Sequence, residues 1–154
     1  MVKSYKQLIK TVPKESLYYD SLSVALISDQ STQYLKKVLY GSGINNLIDL
    51  NIWEAPINSI ENQIHNPASK LNKSTFQYLI IFESSHLILK NFNRFDNKKT
   101  FAENEFSRIK SSLSKALEKK ERKIILFNFY EINDFIYGNF SAKLEDSFIF
   151  QLRK

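Results

Sequence analysis

Leu22-Ser23-Val24-Ala25-Leu26-Ile27 is a nearly unbroken apolar run, and Ser28-Asp29-Gln30-Ser31-Thr32 follows it directly. A run of this kind fits a strand buried on both faces, as in a parallel sheet. The short polar residues behind it fit the N-cap of a helix, where side-chain oxygens accept from orphan backbone amides. Leu35, Val38 and Leu39 continue that helix, and Gly41 and Gly43 are expected to stop it. This strand-to-helix step decides the fold, because the rest of the chain repeats it.

Ile48-Asp-Leu-Asn-Ile-Trp53 alternates strictly, which means one wet face and a place at a sheet edge. Ala55-Pro56 is expected to open a helix carrying Ile57, Ile60 and Ile64, closed by Asn66-Pro67. Tyr78–Phe82 reads as a third, fully apolar strand, and Ser84 or Ser85 caps a helix bearing Leu87, Ile88 and Phe92. Thr100-Phe-Ala-Glu103 has the spacing of a capping box, followed by an apolar stripe of Phe106, Ile109, Leu113 and Leu117. The fourth strand is Ile124–Phe129. A loop with Asn133, Asp134, Gly138 and Asn139 leads to a last helix with Leu144, Phe148 and Leu152.

Strands alternating with helices of this length predict parallel βαβ units with right-handed crossovers. The expected fold is a three-layer α/β, flavodoxin-like sheet of order 2-1-3-4. The fourth strand is apolar on both faces, yet in this order it lies at an edge. Either something pairs there, a fifth strand or another subunit through self-association along Ile124–Phe129, or the terminal helix and the N-terminal arm cover it. Residues 1–20 read as a helical arm with Tyr5, Leu8 and Ile9 on one side, ended by Pro13. Residues 21–154 read as one α/β domain, expected to lack its fifth strand at the C-terminus.

Composition narrows the classes. With 154 residues, 43% of them hydrophobic, the chain suits one domain and is far too apolar for a disordered one. No apolar run reaches the roughly 18 residues of a membrane span, and Met1–Lys6 opens no signal-peptide core, so a cytoplasmic address is expected. Zero cysteines exclude disulfides and thiolate metal sites, and three glycines are too few for the usual phosphate loop. No cofactor and no metal are expected. The net charge of +6 invites a nucleic-acid reading. Against it, the lysines are dispersed, and glutamates interrupt the one dense stretch, Lys115–Lys123, which sits where cations meet the negative end of a helix.

In an open parallel sheet, ligands collect beyond the carboxyl ends of the strands where strand order reverses, here between strands one and three. The residues emerging there are Ser28, Asp29, Gln30, Ser31 and Thr32, then Glu83, Ser84, Ser85 and His86, flanked by Glu54 and by the loop beginning at Asn128. One reading is a pocket in which backbone amides of two helix N-termini meet an anion or carbonyl oxygen. Another is capping alone. A third is nucleophilic catalysis by Ser31 or Ser85 with His86 as base, oriented by Glu83 or Asp29. His65, beside Asn66-Pro67, reads as a surface residue.

Val24-Ala-Leu-Ile-Ser28-Asp29-Gln30-Ser31-Thr32-Gln33, Trp53-Glu54-Ala55-Pro56, Ile60-Glu61-Asn-Gln63-Ile64, Asn66-Pro67-Ala-Ser69, Gly138-Asn139-Phe140 and Phe148-Ile-Phe-Gln151-Leu-Arg153-Lys154 stand in that order. Together they resemble the N-terminal region of FkbH-like proteins, a group within the HAD superfamily. The resemblance implies an SGNH-hydrolase-like domain placed before a HAD phosphatase-like domain. In such proteins the latter can load a glyceryl unit onto a carrier protein, for polyketide or polysaccharide precursors. It further implies that a HAD-type domain or a carrier protein is the partner, and that the D-x-D motif and acyl-accepting Cys of the loading chemistry belong to the other domain. Where SGNH hydrolases carry Gly-Asp-Ser, this chain has Ser28-Asp29-Gln30, with Gln30 at the nucleophile position. Where they carry Gly-x-Asn-Asp, it has Glu83-Ser84-Ser85-His86. The expected role is therefore non-catalytic positioning, with an SGNH-type esterase and a basic nucleic-acid-binding domain as the alternatives.

Overall fold

Four strands, β1 (Asp20–Ser28), β2 (Ile48–Glu54), β3 (Tyr78–Phe82) and β4 (Lys123–Leu126), form one parallel sheet of order β2-β1-β3-β4 in the computed structural model. That is the α/β architecture and strand order read from the sequence. The structure describes residues 3–14, 17–118, 121–132 and 136–154. Asn133 and Asp134 of the expected loop, and Lys119 and Lys120 of the basic stretch, lie outside them. Among the described residues, no helix is long and apolar enough to cross a membrane.

Val24 through Ser28 of β1 are all buried, as a central parallel strand requires. Alternate residues serve two cores. Val24, Leu26, Ile52 and Ile80 face α2 (Gln33–Asn45), where Leu35, Leu39 and Tyr40 pack on them. Ala25, Ile27, Leu79 and Ile81 face the opposite layer, made of α3 (Ile60–His65), the short α4 (Lys70–Lys73) and α6 (Phe101–Leu117). Each fully buried aliphatic side chain in these layers contributes roughly 1.5–3 kcal/mol. A third cluster, Ile88, Phe92, Phe101 and Phe148, joins α5 (Ser85–Arg94) to α7 (Phe148–Arg153). Its rings meet edge-on or tilted at 5.2–5.7 Å.

Several local expectations are corrected. Gly41 and Gly43 do not stop the first long helix; they lie inside α2, which runs on to Asn45. A Cβ at Gly41 would sit 1.9 Å from the Leu8 carbonyl oxygen, and one at Gly43 would sit 2.7 Å from that of Ile48. The glycines are there for close approach: the arm helix α1 (Tyr5–Leu8) lies on one, and the start of β2 on the other. The helix ends instead at Asn46 and at Leu47, whose φ is +59°.

The helix expected from Ala55-Pro56 begins only at Ile60, after a turn in which Asn58 has φ +60°, and Ile57 is left exposed. Thr100 and Glu103 form no capping box. Thr100 closes a 3₁₀ turn and its hydroxyl donates to Asn97 O, while Glu103 pairs with Lys154. The inward face of α6 is Phe101, Glu105, Ser112 and Ala116, so Phe106 and Leu117 point to solvent. β4 spans Lys123–Leu126 rather than Ile124–Phe129, with Ile125 and Leu126 exposed along the open edge. The last helix is broken. Gly138–Lys143 form a 3₁₀ helix, Leu144 follows it, and α7 starts behind Ser147, whose Oγ accepts from the Phe150 N–H at 3.2 Å.

Candidate functional site

Where β1 ends, the chain must leave the sheet, and Asp29 takes the first buried position beyond it. Its Oδ1 accepts from the Ser84 N–H at 2.7 Å, and its Oδ2 accepts from the Ser84 hydroxyl at 2.5 Å and from Gln30 Nε2 at 3.2 Å. Ser84 is the N-cap of α5, its Oγ accepting from the Leu87 N–H at 3.2 Å. One carboxylate thus ties the tips of β1 and β3 together and settles the cap that the sequence left between Ser84 and Ser85.

Ser85, fully buried, has a different task. Its Oγ donates to Tyr130 O at 2.6 Å and accepts from the Tyr130 N–H at 3.1 Å, which pins the segment after β4 to α5. His86 is exposed and stands edge-on to the Tyr130 ring at 6.5 Å. Ser31 is exposed, and the N-cap of α2 is Thr32 rather than Ser31. Thr32 donates from its hydroxyl to Glu54 Oε1 at 2.5 Å and from its N–H at 3.3 Å. That places a carboxylate at the positive end of α2 and ties β2 to it. Ser28 Oγ accepts from the Gln30 N–H at 2.9 Å. Asn128 is exposed and its Oδ1 accepts from the Phe129 N–H. The structure therefore brings Asp29, Gln30 and Ser84 together, and separately Thr32 with Glu54.

The largest electrostatic feature at the strand tips is Arg108, which sequence reasoning missed. It projects from α6 into a fork of three carboxylates: Glu83 at the end of β3 (2.6 and 3.2 Å), Glu105 one turn back on α6 (2.8 and 3.0 Å) and Glu61 on α3 (2.6 Å). The Glu83 and Glu105 side chains are only 6% and 8% exposed, so the pairing with them is strongly desolvated. Burial lifts the Glu83 carboxyl above its usual pKa of 4.5, helped by Glu105 and Glu61 and opposed by Arg108. Burial works against the Arg108 charge, but hydrogen bonds to Glu83 and Glu105 outweigh it and hold the proton more firmly than in a free guanidinium. The only signal in the sequence was positional: Phe101, Glu105, Arg108 and Ser112 recur at helical spacing on one face.

Asp29, Glu61, Glu83 and Arg108 line an open cavity of about 370 Å³ together with Asn58 and Asn91. Its rim can accept hydrogen bonds from hydroxyl or amine groups. Its carboxylates are already engaged by Ser84 and Arg108, and no group of three His, Cys, Asp or Glu side chains among the described residues could hold a metal ion. His65 lies at the surface, its Nε2 3.0 Å from Glu61 Oε2.

A comparison with solved structures finds a match to the crystal structure of the N-terminal part of the protein BF1531 from Bacteroides fragilis, containing a phosphatase domain complexed with Mg. The TM-score is 0.84 at 28% identity, over 99% of this chain and 40% of that one. The chain thus spans less than half the length of that neighbour. No curated protein matches. The family model described as FkbH, N-terminal domain, matches residues 23–154. Since that stretch holds the sheet, both helical layers and the tip residues just described, the chain belongs to the FkbH N-terminal domain family.

Proposed function

We propose that this domain performs no bond-breaking chemistry of its own and acts as a positioning module, SGNH-like in layout, for a HAD-type phosphatase-like domain or a carrier protein. The setting would be acyl or glyceryl transfer toward polyketide or polysaccharide precursors, in the cytoplasm. The observation that carries the reading is the engagement of the polar groups at the strand tips. Asp29 holds Ser84, Ser85 holds the Tyr130 backbone, Glu83 holds Arg108 and Glu54 holds Thr32. A nucleophilic serine needs a base within about 3 Å and a group behind that base. Neither Ser31 nor Ser85 has His86 so placed, and Gln30 stands where the hydrolase motif has its serine. The phosphatase domain of the structural neighbour supports the partner in this reading.

The test is activity-based labelling of the purified chain with a fluorophosphonate, beside a metal-dependent phosphatase assay. The expected result is no labelled serine and no phosphatase turnover. Stoichiometric labelling of Ser31 or Ser85, abolished in His86→Ala, would overturn the reading in favour of an esterase. Specific metal-dependent phosphatase activity would overturn it as well.

A further inference from the structure

Residues 3–14 hold Lys3, Lys6, Lys10 and Lys14 and no acid, and α2 holds Lys36 and Lys37 and no acid. Because α1 seats its Leu8 backbone on Gly41, and Lys3 donates to Asn45 Oδ1, the arm and α2 form one layer on one side of the sheet. None of the six lysines makes an ion pair among the described residues.

The same layer exposes aromatic surface. Tyr34 is 70% exposed and Tyr5 44%, their rings 6.2 Å apart, with Lys37 Nζ 5.9 Å from the Tyr34 centroid. Beside them runs an open groove of about 370 Å³ between α2 and the edge strand β2. Its floor is Leu50 and Ile52, its wall Tyr40, and its rim Lys36, Lys37 and Glu54.

We propose that the α1–α2 layer is a docking surface for an acidic protein helix, whose apolar residues enter the α2–β2 groove while its carboxylates meet the lysine rim. The groove borders the strand tips and shares Glu54 with them, but the proposal does not rest on the function proposed there. Charge complementarity sets the sign of the partner. The concave apolar floor flanked by tyrosines fits a helix laid in a groove, the mode in which apolar anchors at i, i+3, i+4 and i+7 give affinity. Nucleic acid fits less well. All six cations are lysines, without the planar fork with which arginine grips phosphate. A bilayer is flat and would leave the groove unfilled.

The test titrates the full chain with a fluorescent amphipathic peptide of about 18 residues, roughly 27 Å as a helix, with leucines on one face and glutamates on the other. Parallel titrations use single-stranded DNA and phosphatidylserine vesicles. Saturable peptide binding that weakens with salt is expected. It should weaken about tenfold or more in Lys36→Glu/Lys37→Glu and in Lys6→Glu/Lys10→Glu, and be unchanged in Lys90→Glu/Lys110→Glu, which carries the same charge change elsewhere. Amide chemical-shift mapping on the unmutated chain should confine the footprint to α1, α2 and β2, and it needs no variant to fold. Absence of saturable peptide binding, equal loss in the Lys90/Lys110 control, a footprint elsewhere, or tighter binding of DNA or vesicles through the same lysines would each overturn the proposal.

Discussion

Asp29 and Ser84 lie 55 positions apart in the chain and meet through two hydrogen bonds, 2.5 Å to the hydroxyl and 2.7 Å to the amide. The contact holds the exits of β1 and β3 in register at the point where strand order reverses. Replacing Asp29 leaves a buried amide and a buried hydroxyl short of their acceptor, whereas replacing Ser84 removes a cap but leaves the carboxylate its amide donor. Asp29→Ala should therefore lose about 2–3 kcal/mol and Ser84→Ala only about 1 kcal/mol. Urea unfolding of both variants checks this, and the reverse ranking contradicts it.

Arg108 is the shared partner of Glu61, Glu83 and Glu105. Removing it strands two buried carboxylates, so Arg108→Ala should cost about 3 kcal/mol or more. Arg108→Lys keeps the charge but loses the planar fork, and should fall between it and the parent chain. The half-exposed Glu61 arm adds little, so Glu61→Gln should change stability by less than about 1 kcal/mol. Denaturant midpoints at neutral pH measure all three.

The raised Glu83 pKa has a pH consequence of definite sign. Folding takes up a proton wherever pH lies between the unfolded value of 4.5 and the higher folded one. The stability linked to this group is fully present below 4.5 and is lost as pH rises through the folded pKa. Glu83→Gln cannot titrate, so its unfolding free energy should fall less steeply than that of the parent from pH 4.5 upward. Parallel pH profiles of the two chains would contradict the assignment.

Gly41 is the seat of the arm. A methyl group there collides with backbone, which cannot turn away as a flexible side chain can. Gly41→Ala should release residues 3–14 while the sheet stays folded, visible as faster proteolytic cleavage before Asp20 with little change in far-ultraviolet circular dichroism. Unaltered cleavage would show that the arm accommodates the methyl group.

Among the described residues nothing pairs with the outer edge of β4, which exposes Ile125 and Leu126, carries no proline and has its one charge, Lys123, at the start of the strand. We expect concentration-dependent self-association through this strand, reduced in Ile125→Lys. Sedimentation velocity over a wide concentration range reads it directly. A parent chain that stays monomeric throughout refutes it.

The sheet was legible because its signals are collective. β3 was read at its observed bounds, Tyr78–Phe82, and the alternation of Ile48–Trp53 placed β2 at an edge, where it lies. What stayed hidden depends on pairs distant in sequence. In the apolar stripe Phe106–Ile109–Leu113–Leu117, Leu113 packs on the core but Phe106 and Leu117 face solvent, while α6 turns Glu105, Arg108 and Ser112 inward, where Glu83 and Glu61 meet Arg108. Periodicity weighs hydrophobicity and cannot see that a charge has a buried partner. Gly41 and Gly43 were misread for a related reason. A glycine that ends a helix and one that admits a neighbouring backbone look identical until the neighbour, here Leu8 or Ile48, is in place.

The fork around Arg108 also bears on how the chain reaches its native state. Two of its three acceptors, Glu61 on α3 and Glu83 just beyond β3, sit 47 and 25 residues away, so those bonds close only after both elements have docked against α6. Buried ion pairs that bridge separate elements are expected to be unformed in the folding transition state. Weakening them should leave the refolding limb of a chevron almost still and lift the unfolding limb. That outcome would make the cluster a late latch, governing how long the native state persists rather than how fast it is found.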